Sequence, residues 1–330
     1  MSIVSAPICR ISEYKKVYEM AVFHIPVMQR EVVQFLQCRP GGIYVDGTVG
    51  GGGHAYEILK NSAPDGQLIG IDMDDDALRE SERRLIDFKE RTVLVRGNFA
   101  EIDHILKSMN ISKVAGIILD LGISSHQIET AERGFSFTLD APLDMRMNRS
   151  DSLNAYDLVN SFTEKELENI IKNYGEEMMA GRIARAISAR RKISPIKTTA
   201  ELAGIITKTL PSKFRHRRIH PATKTFQAVR IYINKELLNL HQGINCGIDL
   251  LHTSGRLLVI SFHSLEDRIV KNNFRSWEKG CTCPPDFPTC TCHRKPKLKV
   301  LTKKSVTPAE DEILSNPRAR SARLRVAEKV

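Results

Sequence analysis

The sequence predicts an α/β fold in which a Rossmann-like, mostly parallel sheet carries an inserted all-helical domain. Two observations support this prediction. Short apolar segments alternate with helical patterns in the first third of the chain, which is typical of βαβ units and a parallel sheet. Helical patterns alone then fill residues 141–221, and strand-like sequence returns only near Arg256.

The first predicted strand, Ile43–Val45, leads through a glycine-rich turn into a helix that begins near His54. The other predicted elements follow in chain order: strand Gln67–Asp72, helix Ala77–Phe88, strands Thr92–Val95 and Val114–Leu119, helices Thr163–Tyr174, Glu176–Arg191, Thr198–Leu210 and Thr225–Leu251, strand Arg256–Ser261, and an antiparallel pair formed by Lys297–Thr302 and Ala322–Ala327. This order predicts an unstructured N-terminal extension (1–20), a sheet domain in two parts (21–140 and 222–330) and a helical insertion (141–221).

Composition limits the classes of protein to consider. Apolar residues make up 42% and charged residues 27% of the chain, as in ordinary soluble globular proteins. We find neither an apolar run that could span a bilayer nor a secretory signal, so we expect a cytoplasmic protein and no membrane partner. The 49 Lys and Arg residues outnumber the 39 Asp and Glu residues, and the net charge of +10 favours a polyanionic partner.

A glycine-rich segment, Asp46–His54, follows the first strand. Glycines let the backbone approach a ligand closely, and amides at a helix N-terminus attract anionic or polar groups. Asp72 ends the next strand, where a carboxylate can accept hydrogen bonds from ribose hydroxyls. This pair suits any adenosine-containing cofactor, because Gly50, Gly52 and Ala55 also satisfy the dinucleotide pattern. The acid Asp120 at the end of the fourth strand favours a methyltransferase over a nicotinamide-dependent oxidoreductase.

Several ordered motifs make the resemblance specific. They are His24–Met28, Asp46–His54, Asp120–Ser125, Glu132–Phe137, Pro142–Met147, Pro221–Arg230, Ser261–Arg268 and Asn316–Ser321. From about His24 onwards the chain resembles the RsmH (MraW) family, which transfers a methyl group from S-adenosylmethionine to cytosine N4 in small-subunit ribosomal RNA. The resemblance implies a Rossmann-like S-adenosylmethionine-dependent methyltransferase sheet, and a role in tuning the decoding region of the ribosome.

The resemblance also implies site residues. Gly52, Gly53 and His54 would line the cofactor pocket, Asp72 would hold the ribose, and Phe99 would pack near the adenine. Asp120 and Gln127 would complete this pocket. Without the resemblance, the sequence favours a core aromatic residue for Phe99, whereas Gln127 is equally interpretable as a solvated loop residue.

Asp120 is the first candidate for polarising the acceptor amine. Asp144, Arg146 and His263 are further catalytic candidates, because their segments should return to the carboxyl edge of the sheet. An internal ion pair is the alternative for Asp144 and Arg146, and a buried structural histidine is the alternative for His263. Phe135 and Phe137 would offer a stacking face for a flipped base or, equally, pack in the core.

Basic residues cluster at four places that could contact phosphates of folded RNA or of an assembling small ribosomal subunit. The clusters are Arg182, Arg185, Arg190, Arg191 and Lys192; Lys213, Arg215, Arg217 and Arg218; Lys295, Lys297, Lys299, Lys303 and Lys304; and Arg318, Arg320, Arg323 and Arg325. A non-catalytic ribosome-assembly factor is the alternative with the same surface, and a homodimer stays open.

Four cysteines lie close together near the C-terminus, as two Cys-Thr-Cys triplets. They are Cys281, Cys283, Cys290 and Cys292. Four thiolates suit tetrahedral zinc, but this spacing is tighter than the usual pairs of zinc sites. The resemblance does not depend on these cysteines, so the sequence favours a metal-free loop and predicts no metal among the site residues.

Overall fold

The structure is a computed structural model. It describes residues 26–212, 219–281 and 294–330, together with Cys283, Phe287, Thr289, Thr291 and Cys292. The predicted N-terminal extension and the basic cluster at 213–218 therefore lie outside the described residues. Within the described ranges, no helix has both the length and the apolar character needed to cross a membrane.

A seven-stranded sheet forms the centre of the molecule. Its strands are β1 (Ile43–Asp46), β2 (Gln67–Asp72), β3 (Thr92–Arg96), β4 (Val114–Asp120), β5 (Leu251–Ser261), β6 (Leu298–Val300) and β7 (Arg323–Lys329). Their order is β3-β2-β1-β4-β5-β7-β6, and β1 to β5 run parallel. β7 runs antiparallel between β5 and β6, which confirms the predicted terminal pair.

Helices cover both faces of the sheet and form the insertion. They are α1 (Gln29–Leu36), α2 (Gly53–Asn61), α3 (Asp75–Arg84), α4 (Ile102–Ser108), α5 (Ser125–Glu129), α6 (Ala155–Ser161), α7 (Glu164–Gly175), α8 (Ala180–Arg191), α9 (Thr199–Thr209), α10 (Thr223–Ile233), α11 (Glu236–Leu250), α12 (Ser264–Lys279) and α13 (Glu310–Ser315). The predicted α/β class with a helical insertion is confirmed.

Two predicted helices were wrong in extent. The long helix predicted over 225–251 is broken between α10 and α11, because Lys235 takes a left-handed conformation with φ of 52°. The helix predicted from Glu176 begins at Ala180 instead, because Glu176 also has a positive φ, of 47°, and ends α7. An apolar periodicity that continues across both breaks hides them from sequence analysis.

The helical insertion has a hydrophobic core of its own. Buried side chains from α6 to α9, such as Leu158, Ile183 and Ile206, pack with Phe226 and Val229 of α10. The insertion boundary predicted at residue 221 would cut through this core. We therefore propose that the helical unit extends to the end of α10, where the backbone breaks before α11.

Asn234 joins this helical unit to the segment that precedes it. Its side-chain amide donates to Met145 O at 2.9 Å, and its Oδ1 accepts from Met147 N at 2.7 Å. The residue is buried, so the loss of either bond would leave a polar backbone group without a partner. These bonds hold residues 145–147 beside the start of α11.

The turn at Gly134 generates a stability prediction. Gly134 has φ of 68°, and an added Cβ would lie 2.3 Å from Pro142 O. We expect Gly134→Ala to lower the free energy of unfolding by about 2 kcal/mol or more, because it adds left-handed strain to a backbone clash. Gly204→Ala is the matched control. It lies inside α9 with no atom near the added Cβ, so we expect a gain of about 0.4–1 kcal/mol. Urea denaturation of both variants checks the pair, and equal stabilities would contradict the turn's geometry.

Candidate active site

A cleft opens at the carboxyl ends of β1, β2 and β4. This is the point where the strand order reverses, since β2 and β4 flank β1 and the chain crosses over between them. Open α/β sheets bind their ligands at such switch points. Six predicted cofactor residues line the cleft, namely Gly53, His54, Asp72, Phe99, Asp120 and Gln127. The seventh, Gly52, is not among the lining residues and instead precedes α2 with φ of 75°.

The glycine loop positions Asp72. Gly50 N donates to Asp72 Oδ2 at 2.9 Å, and Asp74 N donates to Oδ1, also at 2.9 Å. Gly50 has φ of 51°, a conformation that glycine adopts at little cost, and its carbonyl accepts from Ser81 Oγ at 2.8 Å. The loop and β2 thus fix the orientation of this carboxylate, while each oxygen keeps a second lone pair for a ligand hydroxyl.

Acidic side chains crowd the bottom of the cleft. Burial raises the pKa of Asp46 to about 7, with the negative charges of Asp120 and Asp72 adding to the effect. Burial also raises the pKa of Asp72 to about 6, and Asp74 contributes. Both causes disfavour the ionised carboxylate. A positively charged ligand would relieve this repulsion, so the cleft favours a cation although the whole chain is basic.

His54 and Asp120 face each other at the start of α2. His54 Nε2 lies 3.6 Å from Asp120 Oδ2, just beyond hydrogen-bonding distance. Burial lowers the pKa of His54, but the carboxylates of Asp120 and Asp46 outweigh this and raise it overall. Asp120 N donates to Thr48 Oγ1 at 2.7 Å, which ties β4 to the glycine loop. Asp120 Oδ1 and both ring nitrogens of His54 are buried and have no hydrogen-bond partner among the described residues. The site therefore suits a polar ligand.

Phe99 and Gln127 have structural roles as well as lining the cleft. Phe99 packs so closely on α11 that a Cβ added at Gly243 would lie 2.5 Å from its ring. Gln127 is buried, which excludes the solvated loop position. Its Oε1 accepts from Ser124 N, and its Nε2 donates to Asp74 Oδ2 at 2.8 Å. The Gln127 amide therefore holds α5 against the segment after β2.

Sequence analysis missed a buried ion pair behind the cofactor cleft. Arg133 NH1 donates to Asp74 Oδ2 at 2.6 Å, and its NH2 donates to the carbonyls of Arg146 and Met147. Both charged residues are almost fully buried. A charge so enclosed needs a partner and fixed hydrogen bonds. Asp74 lies two residues beyond Asp72, but only the fold reveals that Arg133 meets it.

Asp144 and Arg146 form an internal ion pair outside the cleft lining. Arg146 Nε and NH2 each donate to one oxygen of Asp144 at 2.8 Å. Burial would raise the pKa of Asp144, but the hydrogen bonds and charge of Arg146 lower it overall. Arg146 also donates to Asp151 O at 2.7 Å. These contacts support the structural role that was the alternative for Asp144 and Arg146. A catalytic role for the pair stays a prediction, and no contact in the part of the chain that the structure describes supports it.

His263 begins α12 next to a second group of acids. Its Nδ1 accepts from Glu266 N at 3.4 Å, and its Nε2 lies 3.2 Å from Glu266 Oε1. Glu266 and Phe262 line the cleft, whereas His263 itself does not. Glu236 lines it too and receives both hydrogen bonds of a bidentate ion pair with Arg230, at 2.9 Å each. Sequence analysis missed both glutamates.

Phe135 and Phe137 pack in the helical unit and do not line the cleft. Phe135 belongs to the buried core of that unit. The ring of Phe137 stacks on His220 at 4.5 Å between centroids and meets Phe226 edge-on at 5.1 Å. Core packing, the second of the two roles considered from the sequence, is thus the one observed.

The order of the strands and the residues of the cleft together define the class of this protein. It is a doubly wound α/β enzyme with an acidic, glycine-bordered site for an adenosine-containing cofactor at its topological switch point. The chain belongs to the MraW methylase family, whose profile matches residues 21–330. This membership confirms the predicted methyltransferase class, with S-adenosylmethionine as its cofactor.

Three relatives are similar to this chain along nearly their whole length. Ribosomal RNA small subunit methyltransferase H of Syntrophus aciditrophicus is 58% identical over 308 residues, which cover 93% of this chain and 98% of the relative. The protein of the same name from Clostridium botulinum (strain Kyoto / Type A2) is 51% identical, covering 93% of this chain and 99% of the relative. That from Geobacter sulfurreducens is 52% identical, with 94% and 100% covered.

The acidic cleft predicts a pH-dependent preference for the charged cofactor. S-adenosylmethionine carries a sulfonium charge that S-adenosylhomocysteine lacks. Asp72 and Asp46 lose their protons as the pH rises through their pKa values of about 6 and about 7. We expect the affinity ratio of the two ligands, measured by titration calorimetry, to rise about five- to tenfold from below pH 6 to above pH 7.

Two variants test the origin of this change. Asp46→Asn removes one of the titrating groups and should flatten the curve. Asp65→Asn changes an exposed carboxylate that bonds Gly41 N outside the cleft and should leave the curve intact. A ratio that stays constant with pH in the unmodified protein would show that the buried acids do not sense the sulfonium charge.

Proposed function

We propose that this protein transfers a methyl group from S-adenosylmethionine to the exocyclic N4 of a cytidine in small-subunit ribosomal RNA, and so tunes the decoding region of the ribosome. The proposal rests mainly on the position of Asp120. Its carboxylate borders the cleft, and its buried Oδ1 has no hydrogen-bond partner among the described residues. The names of the relatives support the RNA substrate.

The chemistry requires positioning more than strong basicity. The lone pair of a cytosine N4 amine is delocalised into the ring, so the amine must be aligned with the methyl group it attacks. Alignment is worth about 7–11 kcal/mol, whereas a general base contributes roughly a hundred- to ten-thousandfold in rate, or about 3–5 kcal/mol. A carboxylate that accepts a hydrogen bond from the amine orients this group and favours its pyramidal form.

Each lining residue then has a distinct role. S-adenosylmethionine supplies the electrophilic methyl group when bound. Asp72 accepts hydrogen bonds from its ribose hydroxyls, and Phe99 packs against its adenine. Asp120 accepts a hydrogen bond from the target amine, and the His54 ring faces the Asp120 carboxylate at 3.6 Å. The proton leaves to water after transfer.

A groove next to the cleft fits an unstacked strand of RNA. It runs between the segment from Asn148 to Leu153 and the start of α11, and it shares Met73, Asn234 and Asn239 with the cleft. A base within folded RNA must leave its stack to reach such a site. Glu236 and Glu266, farther along the cleft, would accept hydrogen bonds from its edge.

Only part of the predicted basic surface is free to contact phosphate. Arg325 is buried in a bidentate ion pair with Asp267, and Arg191 donates to the Val159 and Phe162 carbonyls, so both serve the fold. Lys303, Lys304 and Arg320 are exposed and suit phosphate contacts. We infer that the enzyme acts in the cytoplasm, on small-subunit RNA or an assembling subunit.

Asp120→Asn tests the role of the carboxylate. The change preserves the shape of the side chain but removes its charge and turns one acceptor oxygen into a donor. We expect single-turnover methyl transfer at saturating cofactor to fall about a hundredfold or more, because an interaction of the transition state is lost. Cofactor affinity, measured separately, should change much less.

Asp144→Asn is the matched control. It weakens the ion pair with Arg146 outside the cleft, so it should lower stability and leave the single-turnover rate near normal. If Asp120→Asn binds cofactor weakly but reaches a normal rate at saturating cofactor, Asp120 acts in cofactor binding alone. Near-normal rate and near-normal cofactor affinity in Asp120→Asn would refute both roles.

A further inference from the structure

A cysteine-rich loop, residues 281–294, leaves the fold between α12 and β6. Its two ends are held together. Lys297 N donates to Trp277 O at 2.9 Å, and Gly280 packs so closely on the opposite end that an added Cβ would lie 2.6 Å from Lys295 C and Pro296 N. The loop thus starts and finishes at one point of the fold.

The sequence of this loop offers little apolar surface. Phe287 is its one large apolar residue, and this side chain is 54% exposed. A bound metal orders short segments that lack a hydrophobic core.

Three sulfur atoms of the loop meet in space. The Sγ atoms of Cys281, Cys283 and Cys292 all lie within 4.8 Å of one another, and those of Cys281 and Cys292 are 3.7 Å apart. Tetrahedral zinc with Zn–S bonds of about 2.3 Å places its sulfurs about 3.8 Å apart. A disulfide bond would need about 2.05 Å. The spacing excludes a disulfide bond between Cys281 and Cys292 and is compatible with three ligands that share one ion.

Backbone geometry also supports a thiolate at this point. Thr291 N donates to Cys283 Sγ at 3.4 Å, and the Thr291 hydroxyl lies 3.6 Å from the same sulfur. Hydrogen bonds of this kind favour the charged form of an acceptor, and thiolate is the form that binds metal. Residues around metal ligands commonly make such contacts.

We propose that Cys281, Cys283 and Cys292 form a structural zinc site, separate from the active site, that closes this loop. Zinc is preferred because three soft thiolate ligands in tetrahedral spacing select it over oxygen-seeking cations. The proposal rests on these three described cysteines, which leave the fourth tetrahedral position to a ligand that the described residues do not identify. This proposal departs from the metal-free loop favoured from the sequence, because spacing along the chain does not reveal that the sulfurs converge.

Metal analysis of the full-length protein tests the site. Protein purified under reducing conditions without chelator should contain one zinc per chain by plasma mass spectrometry. Cys283→Ser should lose it almost completely, whereas Cys246→Ser, which removes a half-buried cysteine of α11, should retain it. Affinity for S-adenosylmethionine should be unchanged, because none of the residues described between 281 and 292 lines the cofactor cleft.

Cobalt substitution keeps the test valid if a serine variant fails to fold. Stripping zinc from the unmodified protein and adding Co²⁺ should give the intense thiolate charge-transfer and visible bands of tetrahedral cobalt. The proposal is overturned by protein that contains no stoichiometric zinc, by Co²⁺ bands typical of oxygen ligands, or by a native disulfide between Cys281 and Cys292. Undiminished zinc in Cys283→Ser would overturn it equally.

Discussion

Three carboxylates held at the ends of neighbouring strands constrain the whole cofactor site. Asp46, Asp72 and Asp120 end β1, β2 and β4, and burial with mutual repulsion raises the pKa of Asp46 to about 7. Such a cluster is costly unless donors and a cation compensate it. The glycine loop supplies donors through Gly50 N, which bonds Asp72, and Thr48 N, which bonds Asp46. Thr48 Oγ1 accepts from Asp120 N, so the loop ties the three strand ends together. A sulfonium cofactor supplies the positive charge.

The helical unit depends on the same edge of the sheet. Its segment at residues 145–147 is fixed from one side by Asn234 and from the other by Arg133, which also neutralises Asp74. This network joins the cofactor side of the cleft to the proposed acceptor side, because Asn234 and Met147 both line the cleft. A disturbance of Arg133 would therefore affect both sides at once.

Local patterns allowed the sheet, and the position of several candidate site residues at its edge, to be predicted. Acids that end parallel strands must meet at one edge, so Asp72 and Asp120 could be placed from sequence. Contacts between distant segments could not, and these include the pairing of Arg133 with Asp74 and the placement of Glu236 and Glu266 at the cleft. The convergence of the cysteine sulfurs depends on the path of a short loop, which their spacing along the chain does not fix. Asp144 and Arg146 were expected near the chemistry, but their close spacing lets them satisfy each other instead. Lys235 breaks a helix inside an uninterrupted apolar pattern, which periodicity cannot detect.

The central claim is that the cleft directs a methyl group to cytosine N4 in small-subunit RNA. In the most direct measurement, small ribosomal subunits that lack the modification are incubated with the purified protein and isotope-labelled S-adenosylmethionine. Their RNA is then digested to nucleosides and analysed by mass spectrometry. The account predicts one labelled N4-methylcytidine per RNA. Label on a different atom or base, or no label on either naked RNA or assembled subunits, would contradict it.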